Sequence, residues 1–310
     1  MSINATKWIW KDGDLVPWEE ATAHVMSHAL HYGSSVFEGI RVYASSQGPA
    51  FFRLDCHVRR FFDSAKINRI PLPVSREEMS AACRLVVAEN ELESAYVRPL
   101  AYRGYGALGL DPTDSPVEMI ILAVPWGRYL GESGIEEGVD VCVASWARIA
   151  PNTLPVMSKA GGNYVSSTFI HMEAKRNGYA EGIALGPDGL VSEGAGENLF
   201  LVRDGVLMTP ALNGTLLSGI TRDAVISLAR DLGHEVREGP VPREMLYVAD
   251  EVFLTGTAAE ITPVRSIDRD SIGDGKRGPV TEAIQQAFFG LFSGVTEDRW
   301  GWLSGLGDPA

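Results

Sequence analysis

The chain has little cysteine: Cys56, Cys83 and Cys142 are all that 310 residues contain. They are odd in number and widely spaced, and no CxxC pair occurs, which excludes a zinc ribbon or a thioredoxin-type site and suits a reducing compartment. Long hydrophobic runs are missing as well. The longest, Met119 to Trp126, is interrupted by Pro125 and cannot span a bilayer. The N-terminal stretch MSINATKWIWKDGD has no apolar h-region, so the expectation is a cytoplasmic protein with no membrane partner. Positive charge is scarce: 27 Lys+Arg against 40 Asp+Glu leave a net charge of −13. Nucleic-acid affinity comes mainly from phosphate neutralisation, so this balance argues against DNA or RNA as a partner and against an anionic membrane surface. Internal repeats, charge blocks and low-complexity stretches are also absent, and the chain reads as ordered throughout. With 45% hydrophobic residues it is long enough for one large or two ordinary domains without a staple.

What is present is a mixture of short strands and helices. Lys7–Trp10 and Leu15–Trp18 flank a Lys11-Asp12-Gly13-Asp14 turn, a hairpin signal. Val36–Tyr43 and Ala50–Leu54 read as a second hairpin. Asp55 stands as N-cap of a helix to about Asn68, and Ser75 with Glu78 forms a capping box for a helix to Asn90. Tyr96–Tyr102 and Met119–Pro125 are strand-like. Residues 127 to 138 hold four glycines and few apolar anchors, which places an interdomain linker at 127–137. The expected organisation is therefore a smaller domain over 1–126 and a larger one over 138–310. In the latter, Gly162–Arg176, Thr221–Leu232 and Val280–Phe292 are helical, and Pro187-Asp188-Gly189 and Asp204-Gly205 turn hairpins. Paired strands with intervening helices point to a mixed α/β (α+β) fold, not a regular βαβ array.

Several motifs invite chemistry, each with an ordinary structural reading beside it. Gly104-Tyr105-Gly106-Ala107-Leu108-Gly109 matches GxGxxG, but Leu110-Asp111-Pro112 follows where a dinucleotide site needs a helix, so it reads as a loop. His24, His28 and His31 are spaced i, i+4, i+7, yet no HExxH arrangement accompanies them. Packing or loop anchoring accounts for them better than a metal, and no metal is expected. The chain has 21 arginines but six lysines. Lys159 is the sole formally charged residue from Ile149 to Met172, in a Pro/Gly-rich segment. Such a lysine is either a snorkelling loop residue or a buried amine of lowered pKa, the form a Schiff-base nucleophile needs. Glu193 lies among small residues in Val191-Ser192-Glu193-Gly194. It is either a turn-capping acid or a partner for a pyridinium nitrogen. Ser218-Gly219-Ile220-Thr221 opens a helix, either as a plain N-cap or with N–H groups for a phosphate. Thr255-Gly256-Thr257-Ala258 ends a strand with small residues that permit close approach of a ligand.

Taken together, the chain resembles the branched-chain amino acid aminotransferases of the bacterial kind, within pyridoxal-phosphate fold type IV. The runs that carry the resemblance are His28-Ala29-Leu30-His31-Tyr32-Gly33, Val36-Phe37-Glu38-Gly39-Ile40-Arg41, Tyr96-Val97-Arg98-Pro99-Leu100, Lys159-Ala160-Gly161-Gly162-Asn163-Tyr164, Ser192-Glu193-Gly194, Gly219-Ile220-Thr221-Arg222 and Gly256-Thr257-Ala258-Ala259-Glu260. They span most of the chain in the order the family has them.

The resemblance implies a two-domain fold type IV enzyme that moves the amino group reversibly between leucine, isoleucine or valine and 2-oxoglutarate with pyridoxal 5′-phosphate. Lys159 would bond the cofactor and shuttle the proton at substrate Cα. Glu193 would pair with the pyridine nitrogen and Tyr164 with the phenolic oxygen. Arg60, next to a second arginine at Arg59, would hold the phosphate with Leu217, Gly219, Ile220, Thr221, Gly256 and Thr257. Thr257 and Ala258 would offer backbone donors to the substrate carboxylate. Phe37, Gly39, Trp126, Tyr129 and Tyr164 would wall the substrate pocket. Tyr96 and Arg98 fall on one face of a strand, which sets a hydroxyl beside a guanidinium. In the family Tyr32 and the loop around Gly106–Leu110 reach the partner subunit's pocket. A homodimer is then the minimum active unit, and a hexamer built as a trimer of dimers is the larger assembly to expect. Rival readings are a fold type IV transaminase for D-amino acids, aromatic or amine donors, a related pyridoxal-phosphate lyase, a cofactor-free lyase using Lys159, and a dinucleotide oxidoreductase using Gly104–Gly109.

Overall fold

The computed structural model describes residues 4–127 and 134–308. Two compact units emerge. One gathers the described residues up to Gly127 with 158–162 and those from Phe292 onward; the other holds 134–157 and 163–291.

The first unit is built on an eight-stranded sheet. Its strands are β1 (Trp8–Lys11), β2 (Asp14–Pro17), β3 (Ser35–Phe37), β4 (Ile40–Ser45), β5 (Gly48–Phe52), β6 (Ala95–Arg103), β7 (Val117–Pro125) and, from the end of the chain, β17 (Leu303–Gly305). Helices α1 (His28–Tyr32), α2 (Leu54–Ile67) and α3 (Arg76–Glu89) accompany them. The strand order is β17-β5-β4-β6-β7-β1-β2, with β3 also on β6. The β1–β2 hairpin turns at Asp12-Gly13 as its sequence requires. The Ser75–Glu78 capping box forms with both of its bonds, 3.1 and 2.7 Å. Phe51, Phe61, Val58, Met79, Val86 and Ile121 fill a core between sheet and helices, the main source of the unit's stability.

Three expectations about this unit need correction. Val36–Tyr43 is not one strand. It breaks at Glu38-Gly39, and both pieces pair with β6, at Leu100–Tyr102 and at Ala95–Val97. Glu38 and Gly39 face Pro99 and Arg98, two residues against two, so the register carries through the break, and Glu38 N–H still donates to Pro99 O at 2.9 Å. Helix α2 starts two residues earlier than Asp55 suggested: Arg53, at φ 54°, stands at its N-cap, and Asp55 lies in its first turn where an acid suits the helix dipole. The end of the chain, expected in the second domain, packs here because β17 pairs with β5 and Arg53 N–H donates to Trp302 O.

The second unit carries a nine-stranded sheet. After α4 (Gly134–Glu137) come β8 (Val139–Val143), α5 (Tyr164–Arg176), β9 (Glu181–Leu185), β10 (Val191–Gly194), β11 (Asn198–Arg203), β12 (Val206–Pro210) and α6 (Ile220–Asp231). They are followed by β13 (Val236–Gly239), β14 (Glu251–Gly256), β15 (Glu260–Ile267), β16 (Asp270–Ser271) and α7 (Pro279–Ser293). The order is β10-β9-β8-β15-β14-β11-β12-β13, mostly antiparallel with parallel pairs at β8–β9, β8–β15 and β12–β13. The expected linker is thus not wholly irregular: its described end is the turn α4, whose Ile135 carbonyl accepts from Gln285 at 3.0 Å. Asp204 and Gly205, both at positive φ, turn β11 into β12. Val141, Ile183, Leu199, Leu201, Leu254 and Ile267 form the core. Among the described residues no helix is long and apolar enough to cross a membrane.

Candidate active site

In the first unit the break between β3 and β4 sets up a cluster around Lys159. The short segment bearing it lies against β3: Phe37 N–H donates to Lys159 O at 3.0 Å, Ser64 Oγ accepts from Lys159 N at 3.0 Å, and Ala160 bridges to Val36. The Lys159 ammonium sits 4.8 Å from the centre of the Phe37 ring. Burial, with the nearby Arg60 charge, pulls its pKa down from 10.5 to about 8. An appreciable neutral fraction therefore exists near neutral pH, while some of the residue's surface stays open to an incoming carbonyl.

Arg60 and Arg59 separate by the helical period. Arg59 is exposed, whereas Arg60 turns inward and grips the fully buried Glu38 with two bonds, Nε to Oε1 at 2.6 Å and Nη2 to Oε2 at 2.9 Å. His57, one turn earlier on α2, donates Nδ1–H to Glu38 Oε2 at 2.7 Å. Burial alone would raise the Glu38 carboxyl, but the Arg60 charge and the His57 bond hold it well below the usual range. His57 is pushed down by burial and stays neutral. The bidentate fork leaves the Arg60 guanidinium one orientation. Neither Glu38 nor His57 stands out in the sequence as a site residue. The available signal was a charged residue inside an apolar strand pattern.

Tyr96 and Arg98 do share a face of β6, as the alternation requires. Arg98 Nη2 donates to Tyr96 Oη at 2.9 Å, and the guanidinium lies over the Phe37 ring at 4.7 Å. The Trp126 ring stacks on Tyr96 with centroids 4.6 Å apart. Gly39 belongs to the same cluster by necessity: a Cβ there would lie 1.8 Å from Tyr96 Oη. Phe37, Gly39, Tyr96, Arg98, Trp126 and Lys159 are thus brought together. Tyr32 is exposed on α1 and packs at a tilt against the His28 ring, and Tyr129 lies outside the described residues.

The second unit builds its own polar centre. Glu193 on β10 is buried, and Arg148 Nη2 meets its Oε1 at 2.6 Å. Its Oε2 accepts from Asn198 Nδ2 at 3.2 Å and from Leu217 N–H at 3.1 Å. All of these neighbours are donors, a set that suits an ionised carboxylate. Arg148 is steadied by Ser167 Oγ at 3.1 Å. Arg148 and Asn198 are further residues that the sequence did not single out, because nothing local marks an arginine for a carboxylate forty-odd positions away. Helix α6 begins at Ile220 with Gly219 as N-cap, a residue with no side chain to cap the first N–H groups. A Cβ at Gly219 would strike Asn198 Oδ1 at 1.9 Å, so the helix entrance packs tightly on the Glu193 centre. Thr221 is buried in the first turn. Gly256 ends β14 with Thr257 and Ala258 partly exposed just beyond, and Tyr164 opens α5. A buried carboxylate and a helix N-terminus capped by glycine suit a cationic ring nitrogen and a phosphate.

The supposed dinucleotide motif is a loop: no helix follows Gly109, and Gly104–Gly109 ends in bends. The three histidines do separate jobs. The His24 ring packs against Tyr105, His28 bonds Ser34 and the Gly109 carbonyl, and His31 bonds the Val25 carbonyl.

The family model for amino-transferase class IV matches residues 35–267. The branched-chain-amino-acid aminotransferase of Escherichia coli K12 is 57% identical over 304 residues, covering 98% of either chain. The crystal structure of the Escherichia coli enzyme superposes with a TM-score of 0.96 at 57% identity, over 97% of this chain and 99% of that one. The branched-chain amino acid aminotransferase of Thermobaculum terrenum, solved in its PLP (holo) form, matches with a TM-score of 0.90 at 37% identity, over 98% of this chain and 99% of that one.

Proposed function

Because this chain belongs to the amino-transferase class IV family, we propose that it moves an amino group reversibly between L-leucine, L-isoleucine or L-valine and 2-oxoglutarate, giving branched 2-oxo acids and L-glutamate. It is a branched-chain-amino-acid aminotransferase and depends on pyridoxal phosphate. The observation that carries the assignment of roles is the Lys159 amine, desolvated, lowered to a pKa of about 8 and set against an aromatic wall.

When bound, pyridoxal phosphate supplies a carbonyl for the amino group and a sink for the electrons released at substrate Cα. The residues present suit it. Lys159 offers a nucleophilic amine and moves the proton at substrate Cα. Arg60, oriented by Glu38, would pair with the phosphate, as would the N–H groups of Ile220, Thr221 and Thr257, with Leu217, Gly219 and Gly256 letting the backbone come close. Glu193, held by Arg148, would pair with the pyridine nitrogen, and Tyr164 with the phenolic oxygen. Thr257 and Ala258 donate to the substrate carboxylate. Phe37, Gly39 and Trp126 would shape the apolar space for a branched side chain. The chain acts as a cytoplasmic homodimer at least, in which Tyr32 and the Gly106–Leu110 loop of one subunit reach the substrate of the other.

The test is the visible spectrum of cofactor-loaded protein on addition of L-leucine without keto acid. Loss of the band of the lysine-bound cofactor, restored by 2-oxoglutarate, is the expected result. A band indifferent to leucine would reassign the substrate class within the fold.

Alternate substrates must share one pocket, a leucine isobutyl group and a glutamate γ-carboxylate. Arg98, paired with Tyr96, is the group that accepts the carboxylate. Arg98→Ala should raise KM for glutamate by roughly 10- to 100-fold, the value of one to two charge-assisted bonds, and leave leucine within about threefold. Equal losses for both substrates would remove Arg98 from this role.

A further inference from the structure

Helix α1 and the loop after β6 are separate in sequence and joined in space. His28 N–H donates to Gly104 O at 3.1 Å, Ser27 bridges to Tyr105, and the His24 ring packs at a tilt against Tyr105, centroids 4.4 Å apart. These contacts fix the base of the loop. Farther along, Ser115 Oγ accepts from Ala107 N–H at 3.3 Å. Near the tip, the His28 ring takes over. It is 3% exposed, and its Nε2–H donates to Gly109 O at 2.8 Å, because a carbonyl can only accept. Its Nδ1 takes the Ser34 hydroxyl at 2.7 Å, and the ring packs at a tilt against Tyr32, centroids 4.5 Å apart. One buried imidazole therefore touches the loop tip, the end of α1 and the Tyr32 ring. Outside this clasp Leu30, Leu108 and Leu110 are exposed, the last 86%. Glycines at 104, 106 and 109 give the loop much freedom to lose, so an anchor near its tip matters more than one at its base.

We propose that His28 is a positioning residue for the substrate pocket of the partner subunit: by clasping Gly109 to α1 it presents Leu110 and Tyr32 as one rigid edge. This rests on the reading that the active unit is a homodimer in which these residues reach across. His28 touches no substrate. It removes the disorder that the loop would otherwise lose each time a substrate closes against it, so its effect falls on KM and not on kcat.

The two ring bonds can be kept one at a time. In cofactor-loaded enzyme, the amide nitrogen of His28→Gln falls where Nε2 lies and keeps the Gly109 bond, whereas that of His28→Asn falls where Nδ1 lies and loses it. His28→Asn and His28→Ala should raise KM for leucine by about tenfold, the loss of one bond of ordinary strength, with kcat and cofactor affinity within about twofold. His28→Gln should stay within about twofold of the parent in all three. Equal damage from Gln and Asn, or none from Ala, would overturn the clasp. Hybrid dimers then test the crossing. In a pair of Lys159→Ala and His28→Ala chains, the sole competent lysine faces an intact loop from its partner, and KM should be normal. With both changes on one chain and none on the other, KM should be raised. The opposite pattern would place the loop at its own subunit's pocket and overturn the proposal, while leaving the amino-transfer reading standing. Failure of the parent enzyme to react with leucine would instead strike that reading.

Discussion

Replacing Lys159 with alanine should abolish amino transfer and leave the fold in place. In the role proposed for it, the lysine would do two things that no neighbour can take over: bond the cofactor through its neutral amine, and move the proton at substrate Cα with the same nitrogen. Loss of positioned proton transfer alone costs about 10²- to 10⁴-fold in kcat, before the covalent hold is counted. The neighbours offer no substitute. Arg60 and Arg98 are permanently charged and committed to Glu38 and Tyr96, and His57 is buried behind Glu38. Stability should not suffer, because the substitution removes an amine that burial already disfavours in its charged form. The expected outcome is an unchanged melting temperature, no visible band of lysine-bound cofactor on titration, and turnover at the detection limit. Normal turnover would remove Lys159 from the chemistry.

Lys159 was legible because its charge is isolated in an uncharged stretch, a property of the sequence itself. Local rules also served where the physics is local. The Ser75–Glu78 box capped α3, Asp204-Gly205 turned a hairpin, and the alternation along β6 put Tyr96 beside Arg98. What could not be read is what long-range pairing decides. Glu38 meets His57 and Arg60 across 19 and 22 positions only because the strand breaks at Glu38-Gly39 and α2 turns its inner face to the break. Arg148 and Asn198 become partners of Glu193 in the same way. The allocation of the chain end to the first unit depends on β17 reaching β5, a contact with no signature in either segment. Tertiary contacts of this kind override the local propensities on which a sequence reading rests.

Glu193→Gln is the second large effect, and two consequences must be kept apart. A carboxylate opposite the pyridine nitrogen keeps that nitrogen protonated, which is what lets the ring accept electrons, and an amide of the same shape cannot. Taking away one such preorganised electrostatic partner costs about 10²- to 10³-fold in kcat. The change also leaves Arg148 buried against a neutral amide, and breaking a buried pair from one side costs about 3–5 kcal/mol of stability. A loss of activity by itself is therefore ambiguous. The double variant Arg148→Met with Glu193→Gln resolves it, because it buries no lone charge and keeps similar volume, so the melting temperature should recover most of what Glu193→Gln lost. If Glu193 tunes the cofactor, kcat stays low in the double variant while stability returns. If activity returns with stability, Glu193 is a structural partner of Arg148 and the electronic role assigned to it falls.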